Sequence, residues 1–321
     1  MPSAIASLRA LILDALSSQP YIAHTPPGFT EPTAYAAKPT AVSSVLRLDD
    51  DELPSLFDKD GRLIRDPASH RSATSIKLSA ALVAASRVAM AGAHIIVRPD
   101  QSEAVPTGHT GIVALRRDVS AFRTIEAAEF STPADDAEVA VSAHPASAAA
   151  IDWSTSIPTA YRVELPRLER RDVGEELIVS EVMASIILGL SRAADSVLLS
   201  AIAAQMPPAW SPPDNTVGEF TLAAAAARGL KFSELRALIG TAGYAATVGA
   251  DGALRAAGIP GELTPDALQT IVGAFSRAAV AVHPEVMIHM DRSGKQGDLT
   301  VTAWAQFVPC VPDATAFWFA A

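Results

Sequence analysis

Residues 160–205, AYRVELPRLERRDVGEELIVSEVMASIILGLSRAADSVLLSAIAAQ, constrain this chain more than any other stretch. Tyr161, Val163 and Leu165 alternate with Arg162, Glu164 and Pro166, the period of a strand with one apolar face. After Asp172–Gly174 the period changes. Val182, Met183, Ile186, Ile187, Leu190, Ala194, Val197, Leu198, Ala201 and Ile202 recur at helical spacing. Ser180, Glu181, Ser185, Arg192, Asp195, Ser196 and Gln205 fill the other face. Ser180 is the expected N-cap, Glu181 suits the first turn, and Pro207–Pro208 stop the helix. At about 1.5 Å per residue, a helix from Ser180 to Gln205 is roughly 39 Å long. Ordinary helices average about 11–12 residues. A strand feeding so long an amphipathic helix describes a scaffold better than a catalytic pocket.

The rest of the chain reads as shorter pieces. Leu8, Leu11, Ile12, Ala15 and Leu16 share one face of an N-terminal amphipathic helix. That segment lacks a basic n-region and is interrupted by Arg9 and Asp14, which argues against a signal peptide. Tyr21–Ser55, rich in Pro, Thr and Ala, reads as an extended arm, with Asp49–Glu52 a solvated turn. Asp58–Gly61 hints at a calcium loop, but its first and twelfth positions would be Leu56 and Pro67, which carry no side-chain oxygen. A turn at Gly61 fits better. Ser72–Ala93 reads as one helix stopped at Gly92, followed by strands at His94–Arg98 and Gly111–Leu115 with a polar loop between them. From Arg117 to Pro158 the residues are small or polar, with one strand-like run at Ala137–Ser142. Beyond the long helix, Pro207–Pro213 is a loop anchored by Trp210. Helices are expected at Gly218–Ala227, at Phe232–Tyr244 with Ser233 as N-cap, and within Pro265–Ala281; strands are expected at Ala245–Val248 and Ala278–Val282.

Composition narrows the function. Of 321 residues, 49% are hydrophobic and 19% charged, enough to bury a substantial core. No run reaches the roughly 20 uninterrupted apolar residues of a membrane span. Cys310 is the single cysteine, so no intrachain disulfide forms, and its apolar neighbours Val308, Pro309 and Val311 suit a buried residue rather than a nucleophile. The formal charge of −10 opposes a protein that grips phosphate backbones by charge. No nucleophile elbow, HExxH, P-loop or dinucleotide-binding glycine motif is present. His24, His70, His94, His109, His144, His283 and His289 never fall at i,i+3 or i,i+4 spacing, and the Asp135–Asp136 pair lies in a loop-like stretch. Neither an enzyme's reacting groups nor a cofactor or metal site is advertised.

The last fifty residues carry the second strong pattern. Val286, Ile288 and Met290 alternate with Met287, His289 and Asp291; Leu299, Val301, Ala303, Ala305 and Phe307 alternate with Thr300, Thr302, Trp304 and Gln306. Two glycines between them turn the chain, which is a β-hairpin. The order of the strand "RVELPRLERR", the approach "VGEELIVSEVMASI", the helix ending "AADSVLL", the turn Ala257–Pro260 and this hairpin with its closing "VPDATAF" resembles the tailed-phage major capsid protein family, of Hong Kong 97-type fold. The likeness spans roughly Ile151–Ala321, and residues 1–110 match the family poorly.

The resemblance implies an α+β fold: a long spine helix on a β-sheet in a peripheral domain, a central axial domain, an extended β-hairpin loop and an N-terminal arm. It divides the chain into an N-terminal helix, arm and helix/strand segment (1–115), an extended loop (116–165), a peripheral domain with the spine helix (166–218), an axial domain (219–280) and the C-terminal hairpin (281–321). It implies no enzyme and no cofactor, but self-assembly as hexamers and pentamers into an icosahedral virion shell around double-stranded DNA, without sequence-specific binding and without a membrane. Portal, scaffolding and decoration proteins are the implied partners, and the bacterial host cytoplasm the place of assembly. With Met1 retained and no large cleavable domain evident, removal of a propeptide is not expected. Some relatives weld subunits through a Lys–Asn bond; Lys38, Lys59, Lys77, Lys231 and Lys295 are not clearly placed for one, so a non-crosslinked shell is expected. The assembly residues it suggests are Arg162, Glu164, Arg167, Glu169, Arg170, Arg171, Glu175 and Glu176, with Ser180 and Asp195 on the spine. For this charged patch two readings stay open, a solvated surface and an intersubunit ion-pair network. An encapsulin-like compartment or gene-transfer-agent shell shares the expected fold; a soluble cytoplasmic α+β enzyme is the alternative of a different class.

Overall fold

The computed structural model describes residues 4–17, 42–54, 75–99, 102–106, 113–117, 120–128, 130, 132, 139, 141–206, 219–293 and 298–320. Helix α1 (Ala4–Ser17) buries Leu8, Leu11, Ile12 and Ala15, the stripe read from the sequence. Part of the expected arm is strand: β1 (Val42–Arg47) and β2 (Glu52–Pro54). Between them Asp49 and Asp50 are exposed, whereas Asp51 is buried and accepts the Arg47 N–H at 2.8 Å. The rest of that arm, the turn at Gly61 and the Pro207–Pro213 loop lie outside the described residues.

The single helix expected over Ser72–Ala93 is three elements: β3 (Ser75–Lys77), α2 (Leu78–Ala85) and α3 (Arg87–Met90). Ser86 breaks it, because its extended backbone and side chain cap α3 rather than continue α2. Strand β4 (His94–Val97) follows as expected. The polar loop beyond it holds β5 (Ser102–Pro106), paired antiparallel with β6 (Val113–Arg117). A second antiparallel pair joins β7 (Ala121–Ile125) to β8 (Ala146–Ala150); the described residues of Ala137–Ser142 are not in a strand. Strand β9 (Ile157–Leu165) leads into a short helix, α4 (Arg167–Val173), which the sequence reading missed. Gly174, at φ +96, separates it from α5 (Glu175–Gln205). The long helix therefore begins five residues before Ser180, which is buried within it and is no N-cap. By length and composition α5 is long and apolar enough to cross a bilayer, yet its apolar stripe is already buried in the chain.

Helix α6 is confined to Leu222–Ala227, capped by the Thr221 hydroxyl. Where Phe232–Tyr244 reads as a helix, the structure has one 3-10 turn and then β10 (Arg236–Ile239). Strands β11 (Ala246–Val248), β12 (Leu254–Ala256) and β13 (Ile259–Leu263) follow, with Ala257 and Gly258 both at positive φ in the turn between the last two. Pro265–Ala281 is likewise not helical: it holds β14 (Thr270–Gly273), a 3-10 turn and the start of β15 (Ala279–Val282). The expected hairpin is β16 (Glu285–Ser293) and β17 (Asp298–Cys310), and the chain closes with β18 (Phe317–Ala320). Mixed helix and sheet, largely segregated along the chain, make the fold α+β.

The chain forms two compact units. The first comprises Met1–Ala85, Pro158–Ala193 and His283–Gln306. In it β1 pairs β16, and β16 pairs β17, all antiparallel. Leu46, Val286, Ile288, Met290, Val301 and Ala303 point to one buried face, and α1 packs on β1 and β16. The second unit comprises Ser86–Ile157, Ala194–Val282 and Phe307–Ala321. Here β15 lies between β4, parallel, and the end of β17, antiparallel. A separate sheet of order β11-β12-β13-β10-β14-β18 completes it. Phe275 and Phe317, 5.4 Å apart and edge to face, fill its core.

Candidate assembly surfaces

The residues singled out from the sequence fall into two environments. Arg162 and Glu164 are exposed on β9, and Arg167, Glu169 and Arg171 are exposed on α4. Arg171 pairs with its neighbour Asp172 at 2.9 Å, both well hydrated, a contact of little energetic weight. Arg170 alone on α4 turns inward and is buried. The Arg167 N–H donates to the Asp298 carboxylate at 2.9 Å, so the first residue of β17 caps α4 and fixes the patch to the hairpin. Glu175 and Glu176 form the first turn of α5; their side chains lie outside the described residues.

Asp195 departs from its expected place on a polar face. It is 1% exposed. Its carboxylate accepts from the Ser86 hydroxyl at 2.6 Å, the Arg87 N–H at 2.8 Å and the Val88 N–H at 3.3 Å. These are the cap and first two amides of α3. Burial pushes its pKa up to about 6, against the lowering effect of those hydrogen bonds. Cys310 is buried beside Val308, and the same desolvation lifts its thiol to about 11, far from a reactive thiolate.

Two further surfaces are apolar and open, one not singled out from the sequence and one within the segment 116–165 expected as an extended loop. The first lies on the three strands of the first unit. The register aligns Val45 with Met287 and Met287 with Trp304, so the three stand side by side on the face opposite the buried one. They are 41%, 47% and 47% exposed. Beside them a hollow of about 350 Å³ is lined by Pro158, His283, Glu285, Met287, His289 and Trp304 among others. The signal was present in the sequence: Met287 and Trp304 are large apolar residues at the positions of β16 and β17 that alternate with the core. His283 and His289 line this hollow six residues apart, and among the described residues no group of three His, Cys, Asp or Glu is arranged to hold a metal.

The second surface is the β7–β8 arm of the other unit. Its base is fixed: Phe122 and Ala149 pack on a cluster of Ile151, Ala279, Ala281, Val308 and Cys310, and Phe122 lies 5.6 Å from the His94 ring. Phe130 is 98% exposed and Val141 100%, with Ile125 and Val139 also open. Isolated scattered apolar residues on a surface are ordinary, but Phe and Val both almost fully solvated on the one connection between β7 and β8 are not.

No protein-family model matches the chain, and no curated protein matches it in sequence. Among solved structures it is similar to the capsid of a native GTA particle, at 13% identity and TM-score 0.43, covering 72% of this chain and 89% of that one. It is similar to a Mycobacterium phage Che8 chain at 10% identity and TM-score 0.41, over 64% of this chain and 84% of the other. A virus-like particle from Pyrococcus furiosus is similar at 12% identity and TM-score 0.38, over 76% and 98% respectively.

Proposed function

We propose that this chain is a shell subunit, the major capsid protein of a tailed phage with the Hong Kong 97-type division into arm, extended loop, peripheral, axial and C-terminal segments set out above. One observation carries the reading. The chain holds a well-filled core and yet leaves two separate apolar surfaces uncovered, the β7–β8 arm with Ile125, Phe130, Val139 and Val141 and the Val45–Met287–Trp304 row. A neighbour that covers both removes that surface from water, at about 25 cal/mol per Å² of apolar area. Repeating the contact around a ring gives hexamers and pentamers, and the exposed charges of β9 and α4 then set register between copies more than affinity. The acidic balance suits an inner wall that does not trap packaged double-stranded DNA. Portal and scaffolding proteins are the further partners, and the assembled virion is where the chain resides.

Negative-stain electron microscopy of the purified recombinant protein, with sedimentation, tests this. Closed shells, tubes or capsomer rings are expected, and the nucleic acid they retain separates a DNA container from a compartment with protein cargo. A uniform monomer or dimer at high concentration, unchanged by crowding, would overturn assembly by the chain alone.

A further inference from the structure

The interior of the second unit contains a carboxylate that the shell reading does not use. Asp195 sits in the later turns of α5 and meets α3 only through neutral donors: the Ser86 hydroxyl and the Arg87 and Val88 amides. Ser86 in turn accepts the Ala89 N–H at 3.1 Å, so one hydroxyl joins the carboxylate to the first turn of α3. Among the described residues, the charged groups named beside it offer no compensation. Asp266, from the turn before β14, is of like sign and raises the cost of ionising Asp195. The Arg87 guanidinium turns away, 3.7 Å from Glu262 and hydrogen-bonded to the Leu263 carbonyl. A buried anion with dipoles but no cation is costly to keep ionised.

We propose that the Ser86–Asp195 cluster is a proton-operated clasp, one that holds α3 and the following β4 to α5 more firmly when Asp195 is neutral. The sign follows from proton binding. The folded carboxyl keeps its proton to about pH 6, whereas the ordinary value is 3.8. Between these the folded state binds more protons than the unfolded, so the stabilisation is complete below about pH 3.8 and is lost as pH rises to about 6. Two pH units correspond to about 100-fold in the opening equilibrium. Most carboxylates, paired in the native state, act in the opposite direction.

The clasp lies within one chain, so it stands or falls independently of the shell reading. The test is amide hydrogen exchange of the full chain, followed by mass spectrometry between pH 4.5 and 7.5 and corrected for intrinsic rates. In the native protein, protection of residues 86–97 should be level above about pH 6 and then rise by about tenfold per pH unit toward pH 4.5, roughly 25-fold in all. In Asp195→Asn, which is neutral at every pH, the profile should be flat. Ser86→Ala removes a hydrogen bond that favours the ionised form, so the pH below which protection begins to rise should move up. A flat profile in the native protein, a titration that persists in Asp195→Asn, or an onset unmoved in Ser86→Ala would each overturn the clasp. The Ser86 variant keeps the test decisive if Asp195→Asn does not fold.

Discussion

At the scale of single residues, α5 predicts substitutions of opposite sign on its two faces. Leu198 is fully buried, so Leu198→Ala should destabilise the subunit by about 2–5 kcal/mol through lost contacts and the cavity left behind. Gly189 lies in the interior of the same helix on its exposed side, and a Cβ built there meets nothing within 4 Å. Gly189→Ala should therefore stabilise by about 0.5–1 kcal/mol, the ordinary difference between the two residues in a helix. Gly240 shows the reverse constraint: a Cβ would stand 2.6 Å from the Gln269 and Leu268 carbonyls, which are backbone and cannot step aside. Urea unfolding of the dissociated subunit measures all three, and Gly240→Ala should lie with Leu198→Ala. The buried stripe of α5 was legible because it repeats every three to four residues. The role of Asp195 was not, because its partner Ser86 is 109 residues away and nothing local distinguishes a buried acceptor from a solvated one.

At the scale of elements, period decided what could be read. Strands β16 and β17 alternate, and the apolar residues expected inside are all buried, although Thr300 of the other set is buried as well. Ala237, Leu238 and Ile239 form a short continuous apolar run buried on both faces, and such a run fits helix and strand equally well. Its partners, β13 and β14, lie some 25 to 35 residues on, so only the tertiary pairing makes it β10. The start of α5 was misplaced for a related reason. Ser180 has the chemistry of a cap, but the helix already has its break at Gly174, and Ser180 is held inside by the turns on either side. Caps that the structure does use give a direct prediction. Asp298→Ala leaves the Arg167 N–H without its acceptor and should cost about 0.5–2 kcal/mol, concentrated at α4. Hydrogen exchange should show residues 167–173 losing protection while α5 keeps its own. Equal loss along both helices would mean that Asp298 supports more than the cap.

At the scale of the whole molecule, the two open surfaces make a stronger prediction than either alone. They are different surfaces on one chain, so if each covers the other between copies the contact is heterologous: every subunit gives an arm and receives one, and the series propagates until it closes. Phe130→Asp with Val141→Asp should disable the arm, and Met287→Asp with Trp304→Asp the receiving row. Phe130 and Val141 are 98% and 100% exposed, so folding should change by no more than about 0.5 kcal/mol per substitution there; Met287 and Trp304 are about half covered and stand opposite each other, so two Asp in their place should cost about 1 kcal/mol more. Each double variant alone should sediment as a monomer with native circular dichroism. Mixed in equal amounts they should form a heterodimer and stop, because the arm-deficient copy can only receive and the row-deficient copy can only give. Sedimentation velocity distinguishes this from the alternatives without ambiguity. Rings or shells from the mixture would mean that the surfaces act independently of one another. Monomers from the mixture would mean that arm and row never meet, and that each answers to some other part of the shell.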